Sequence, residues 1–121
     1  MIYKILKLII STYILIACSS ANGVNVDHDN YIKSTKEIIE KSICNNDSQC
    51  IVVENYCSCR MGGGRSAIHI KLKDQWEEIK SDFSKKGFDC LAVISKDWSC
   101  KDTIVSKCVA NKCTLKHDEK K

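Results

Sequence analysis

Residues 67–83 read Ala67-Ile68-His69-Ile70-Lys71-Leu72-Lys73-Asp74-Gln75-Trp76-Glu77-Glu78-Ile79-Lys80-Ser81-Asp82-Phe83, and two periodicities overlap in them. From Ala67 to Lys73 apolar and polar residues alternate, as in a half-buried strand. Yet Ile68, Leu72, Trp76, Ile79 and Phe83 also fall on one face of a helix, and only Ile70 objects. Residues 66–73 therefore stay open between strand and helix. From Asp74 onward the spacing of 4, 3 and 4 from Leu72 to Phe83 fits a helix alone. Lys85 and Lys86 suit the negative end of its dipole, and Gly87 can supply a left-handed cap. The helix is predicted from residue 70 or 74 to 86.

Upstream, Cys50 to Tyr56 contains Ile51, Val52 and Val53 and reads as a strand. Before it, Tyr31 to Ile43 reads as a helix, with Ile32, Ile39 and Ile43 on one face around Thr35 and a cap at Asp29 or Asn30. Asn45-Asn46-Asp47 marks a turn. Downstream, Cys90 to Ile94 is a short apolar run expected to form a strand, and residues 96–101 a polar loop carrying Trp98 and Cys100. Thr103 to Ala110 and Cys113 to Lys116 read as a hairpin turning at Asn111-Lys112, which pairs Ala110 with Cys113 and Cys108 with Leu115. The fold class is thus α+β: a small disulfide-rich domain over 31–116, with two helices packed on an antiparallel sheet of three to five strands and a C-terminal hairpin. Residues 117–121 form a charged tail.

The chain has 121 residues, enough for one domain. It carries a formal charge of +4, nine cysteines and no proline. The N-terminus reads as an export signal. Met1 to Lys7 is short and basic, with Lys4 and Lys7. The uncharged run from Leu8 to Ala21 is about 14 residues, short of the roughly 20 that a spanning helix needs. Removal of residues 1–17 takes away two lysines and lowers the charge from +4 to +2. So small a charge makes nucleic acid an unexpected partner. Residues 18–30 are small and polar and read as a flexible tether.

The signal ends in Leu15-Ile16-Ala17-Cys18, which resembles the lipobox of bacterial lipoproteins. The resemblance covers the first 18 residues and implies cleavage before Cys18, whose sulfur and amino group then carry lipid. Ser19, rather than an aspartate, follows, which in that class implies delivery to the outer membrane. An ordinary secretory cut is the alternative: Ala21-Asn22-Gly23 also satisfies the small-residue rule, and the product would be a soluble periplasmic or secreted protein.

Without Cys18, eight cysteines remain: Cys44, Cys50, Cys57, Cys59, Cys90, Cys100, Cys108 and Cys113. An even set in an exported domain reads as four disulfides, with the pairing open. Neither Cys57-Ser58-Cys59 nor Cys108 to Cys113 has the usual zinc spacing, so no metal is expected. A Cys57–Cys59 redox pair is a weaker alternative, since it needs an accessible thiol of depressed pKa.

The most unusual stretch is Cys57-Ser58-Cys59-Arg60-Met61-Gly62-Gly63-Gly64-Arg65, which holds both arginines of the chain. It reads either as a presented recognition loop or as a glycine turn with solvated arginines. Residues 60–65 and Trp98 are the candidate binding residues, tryptophan being a frequent interface anchor. The loop is not a phosphate loop, since Gly-Lys-Ser/Thr is missing. His28, His69 and His117 are scattered, and no triad or metalloprotease motif is present, so no catalytic residue and no cofactor are expected. The expected function is that of a lipid-tethered, non-catalytic module binding a protein in the bacterial envelope. The alternative is a soluble inhibitor or effector that presents Cys59-Arg60.

Overall fold

Two periods overlap in residues 67–83 because the chain changes structure at His69. The structure, a computed structural model, describes residues 23–119. It has α1 (Gly23–Lys41), β1 (Cys50–Glu54), β2 (Arg65–His69), α2 (Lys73–Ser84), β3 (Ile104–Val109) and β4 (Lys112–His117). One 3-10 turn, Ile70–Leu72, joins β2 directly to α2. The His69 imidazole caps it by accepting the Lys71 N–H at 3.1 Å. The strand pattern is thus correct up to residue 69 and the helical pattern after it. Ile70, which fitted the strand pattern but not the helix face, lies past the strand end in the 3-10 turn and is exposed. The signal segment 1–17, Cys18 and residues 19–22 lie outside the described residues. The chain divides into units 1–30 and 31–121; of the first, only 23–30 is described, and it is helical where a tether was expected.

The second unit is a small disulfide-rich α+β domain built in layers. Antiparallel β1 and β2 pair Ile51 with Ile68, Val52 with Ala67 and Val53 with Ser66. One face of this ribbon carries Val53, Ile68 and Ile51, which pack with Ile38 of α1 and with Trp76, Leu72 and Ile79 around α2. The other face carries Cys50 and Ala67, which pack with Cys113, Cys44, Cys108 and Leu115. Burial on both faces is why β2 shows adjacent core residues, Ala67 and Ile68, instead of a clean alternation. It also explains why the four strands form two separate two-stranded ladders: the hairpin covers a face of β1–β2 instead of extending its edge.

The face of α1 is turned from the one expected. Thr35, Ile38 and Ser42 are buried, while Ile32, Ile39 and Ile43 are exposed. Hydrogen bonding explains the swap. Thr35 Oγ1 donates to Tyr31 O at 3.0 Å and Ser42 Oγ to Ile38 O at 2.8 Å, so neither hydroxyl is buried unpaired. Ser42 Oγ also accepts the His69 N–H at 2.9 Å, tying α1 to the end of β2. Tyr31 anchors the helix elsewhere, stacking on Phe83 at 4.4 Å, while Phe83 stacks on Phe88 at 4.2 Å. Asp29 and Asn30 lie inside α1 and cap nothing at its start.

The hairpin turns at Ala110-Asn111, not at Asn111-Lys112. Both residues have positive φ, 49° and 60°, the requirement of a tight primed turn. Cys108 therefore faces Cys113, and Ser106 faces Leu115. The slide is two residues, so every side chain keeps its expected face. Two backbone hydrogen bonds fix this register, Cys113 N to Ser42 O and Cys44 N to Asn111 O, both 3.0 Å. His117 belongs to β4, one residue beyond the expected strand end.

Cys90 to Ile94 is not a strand. Disulfides at Cys90 and Cys100 hold this segment against the 57–65 loop instead of along a ladder edge. Among the described residues no helix is long and apolar enough to cross a membrane.

Candidate functional site

Four disulfides form, and they divide in two. Cys44–Cys108 and Cys50–Cys113 staple the hairpin to the end of α1 and the start of β1. Cys57–Cys90 and Cys59–Cys100 brace the glycine loop on the segment 88–100. They span 33 to 64 residues of sequence, so each restricts the unfolded chain by on the order of 4 kcal/mol in the chain-entropy model. Four bridges are consistent with an exported protein. Cys57 and Cys59 belong to different bridges, so the pair that a redox reading needs is not formed. The sulfurs of Cys44, Cys50 and Cys113 lie within 4.8 Å of one another. All three are oxidised in bridges, which leaves no thiolate there for a metal ion.

Each glycine of the 57–65 loop has its own reason. Cys59–Met61 form one 3-10 turn, and Gly62 ends it in the left-handed region at φ 76°. Gly63 passes so close to the Cys57 carbonyl that a Cβ would sit 1.4 Å from its oxygen. Gly64 packs on Ser99 and Asp97, where a Cβ would lie 2.9 Å from Ser99 Oγ. Backbone bonds close the turn: Met61 N and Gly63 N to Ser58 O, both 2.9 Å, and Gly64 N to Cys57 O at 3.2 Å. The triplet therefore makes a rigid loop, contrary to the freedom its composition suggests.

Glu54, at the end of β1, clamps both ends of that loop. Its Oε1 accepts Arg65 Nε at 2.9 Å and its Oε2 accepts the Cys59 N–H at 3.1 Å. Burial pushes the Glu54 pKa up, but the Arg65 guanidinium and the Cys59 amide outweigh it and leave the carboxyl below its ordinary value. Arg65 is thus held inside the fold by its ion pair. Arg60 is exposed, makes no ion pair among the described residues, and lies within the 3-10 turn.

Opposite the glycines, Asp97 caps the 3-10 turn Trp98–Cys100. The Ser99 hydroxyl and amide both donate to its Oδ1, which holds the carboxyl below its ordinary value. Ser99 Oγ in turn accepts the Arg65 N–H at 3.0 Å. This buried hydroxyl thus links the Asp97 turn to the start of β2.

Between these two walls runs an open groove of about 680 Å³, lined by Asn55, Gly62, Gly63, Gly64, Arg65, Ser95, Asp97, Trp98, Ser99 and Leu115. It brings together Gly62 to Arg65 and Trp98, the loop and the tryptophan singled out in the sequence. Met61 stands beside it, half exposed. Trp98 is 49% exposed, whereas Trp76 is 1% exposed and donates its indole N–H to Glu54 O at 3.0 Å. His117 lies beside Trp98, ring centroids 6.0 Å apart, and its Nδ1 is 3.3 Å from Thr103 Oγ1. His69 caps a turn, and His28 is exposed on α1. Glu54, Asn55, Asp97 and Ser99 were missed from the sequence. A lone acid ending the run Ile51-Val52-Val53 and an Asp-x-Ser turn were the available signals.

Comparison with protein-family models, with curated proteins and with solved structures finds no match to this chain.

Proposed function

We propose that the protein is an exported, non-catalytic binding module, tethered to the bacterial envelope by lipid on Cys18, which meets a protein partner at the groove between the glycine loop and Trp98. The observation that supports this reading is convergence. The loop and the tryptophan come from distant parts of the chain, line one groove, and are each held by disulfides. An exposed aromatic on a preorganised wall loses little entropy on binding.

The test is site-specific photocrosslinking in intact envelopes from position 98, with Lys36 on α1 as the control site. The reading expects a discrete protein adduct from 98 and none from 36. Equal labelling from both positions, or none from 98, contradicts it. Trp98→Ala is expected to cost roughly 1–2 kcal/mol in unfolding, because about half of the ring is covered and it lies beside His117.

A further inference from the structure

The segment Leu91-Ala92-Val93-Ile94 is the most exposed apolar run of the described chain. Leu91 is 69%, Val93 55% and Ile94 84% exposed. It is held out rather than loose: Cys90 is bonded to Cys57, the Ser95 N–H donates to Cys59 O at 2.8 Å, and Cys100 is bonded to Cys59. Its inner side rests on Gly62, where a Cβ would lie 3.1 Å from Leu91 Cβ and 3.5 Å from Val93 Cγ2. Met61 extends the patch. Contiguous aliphatic exposure of this kind marks an interaction surface.

Charge indicates what covers it. Arg60 follows Cys59 and Lys96 follows Ser95, so the Cys59–Ser95 hydrogen bond brings both cations beside the run. Both are exposed, and neither is ion-paired among the described residues. Of the two acids in the segment, Asp97 is turned onto Ser99 and Asp89 lies at the far end, before Cys90. An aliphatic tip with cations at its base matches a bilayer leaflet: acyl chains take the aliphatic side chains and anionic headgroups take the cations.

We propose that residues 91–94, with Met61, insert into the boundary between headgroups and acyl chains of an anionic lipid bilayer, with Arg60 and Lys96 on the headgroup phosphates. Insertion is shallow, because the irregular backbone of this run cannot enter the hydrocarbon with its peptide groups unpaired. The contact needs neither the lipid on Cys18 nor the protein partner.

The test uses the protein in the form the cell exports, carrying Trp98→Phe and Ile94→Trp. Trp76 is buried, so the indole at 94 is the accessible reporter. Vesicles carry brominated acyl chains, with phosphatidylglycerol or with phosphatidylcholine alone. The expected result is quenching at least about threefold stronger on the anionic vesicles, weakened by high salt and abolished by adding Leu91→Ser and Val93→Ser. Absence of quenching in protein that is bound to the vesicles overturns the proposal and assigns the run to a protein interface. Equal quenching after the serine substitutions overturns it too. If Cys18 carries no lipid, quenching on anionic vesicles is still expected, so failure of the tether and failure of this contact give different results.

Discussion

Gly63 has no room for a side chain, because the Cys57 carbonyl occupies the place of its Cβ. Gly63→Ala must open the turn that sets the groove wall, and a loss above about 2 kcal/mol in chemical unfolding is expected. Gly62→Ala meets only a left-handed φ of 76° and a tight contact with Leu91, and should cost about 1–2 kcal/mol. The reverse order would mean that the loop is not closed as described. Three adjacent glycines were visible in the sequence, and so was their ambiguity. Composition reports what a backbone can do. Close approach to a carbonyl six residues earlier is a tertiary fact that no local pattern carries. Trp76 was legible as core because its helical spacing encodes burial directly. The buried face of α1 was not legible, because it uses Thr35 and Ser42, whose hydroxyls bond to their own helix.

At the scale of elements, the hairpin and the glycine loop each make a prediction. The turn residue Ala110 has φ 49° without being glycine. Ala110→Gly is expected to raise stability by up to about 1 kcal/mol in thermal unfolding, by removing that strain. The turn was misplaced by one position because Asn111 suits either alternative. The register is chosen by α1's end and two disulfides, not by turn chemistry. The loop clamp makes stability depend on acid. Asp47, held low by the Cys108 N–H and Lys107, and Asp97, held low by Ser99, join Glu54 as carboxyls below their ordinary values. Such groups contribute fully above their unfolded values, roughly pH 4, and the contribution is lost as pH falls through the folded values. Unfolding free energy should therefore be flat near neutrality and decline below about pH 4. Glu54→Gln should cost about 1 kcal/mol at pH 7, a surface-discounted figure, and the gap to wild type should close toward pH 2. A gap independent of pH would show that the carboxylate charge does not hold the loop.

At the scale of the whole molecule, disulfides replace much of the missing core. One of the two core clusters is mainly cysteine, with Cys44, Cys50, Cys113 and Cys108 around Ala67 and Leu115. The even set of eight cysteines left once Cys18 is set aside made four bridges legible, but their pairing depends on the layering of hairpin on ribbon, which only the fold supplies. The exposed run at 91–94 was read as a strand because aliphatic composition is shared by buried strands and by surfaces that meet a partner. Four bridges hold this domain, two of them bracing the groove face, and lipid on Cys18 is the proposed tether. The measurement that tests bridges and tether together is mass spectrometry of protein from native membranes, intact and after non-reducing digestion. The account predicts an acylated chain beginning at Cys18, eight further cysteines that alkylate only after reduction, and linked peptides joining Cys57 to Cys90 and Cys59 to Cys100. Thiols that label before reduction, or a Cys57–Cys59 link, would contradict the braced site. An unlipidated chain beginning near Asn22 would contradict the tether.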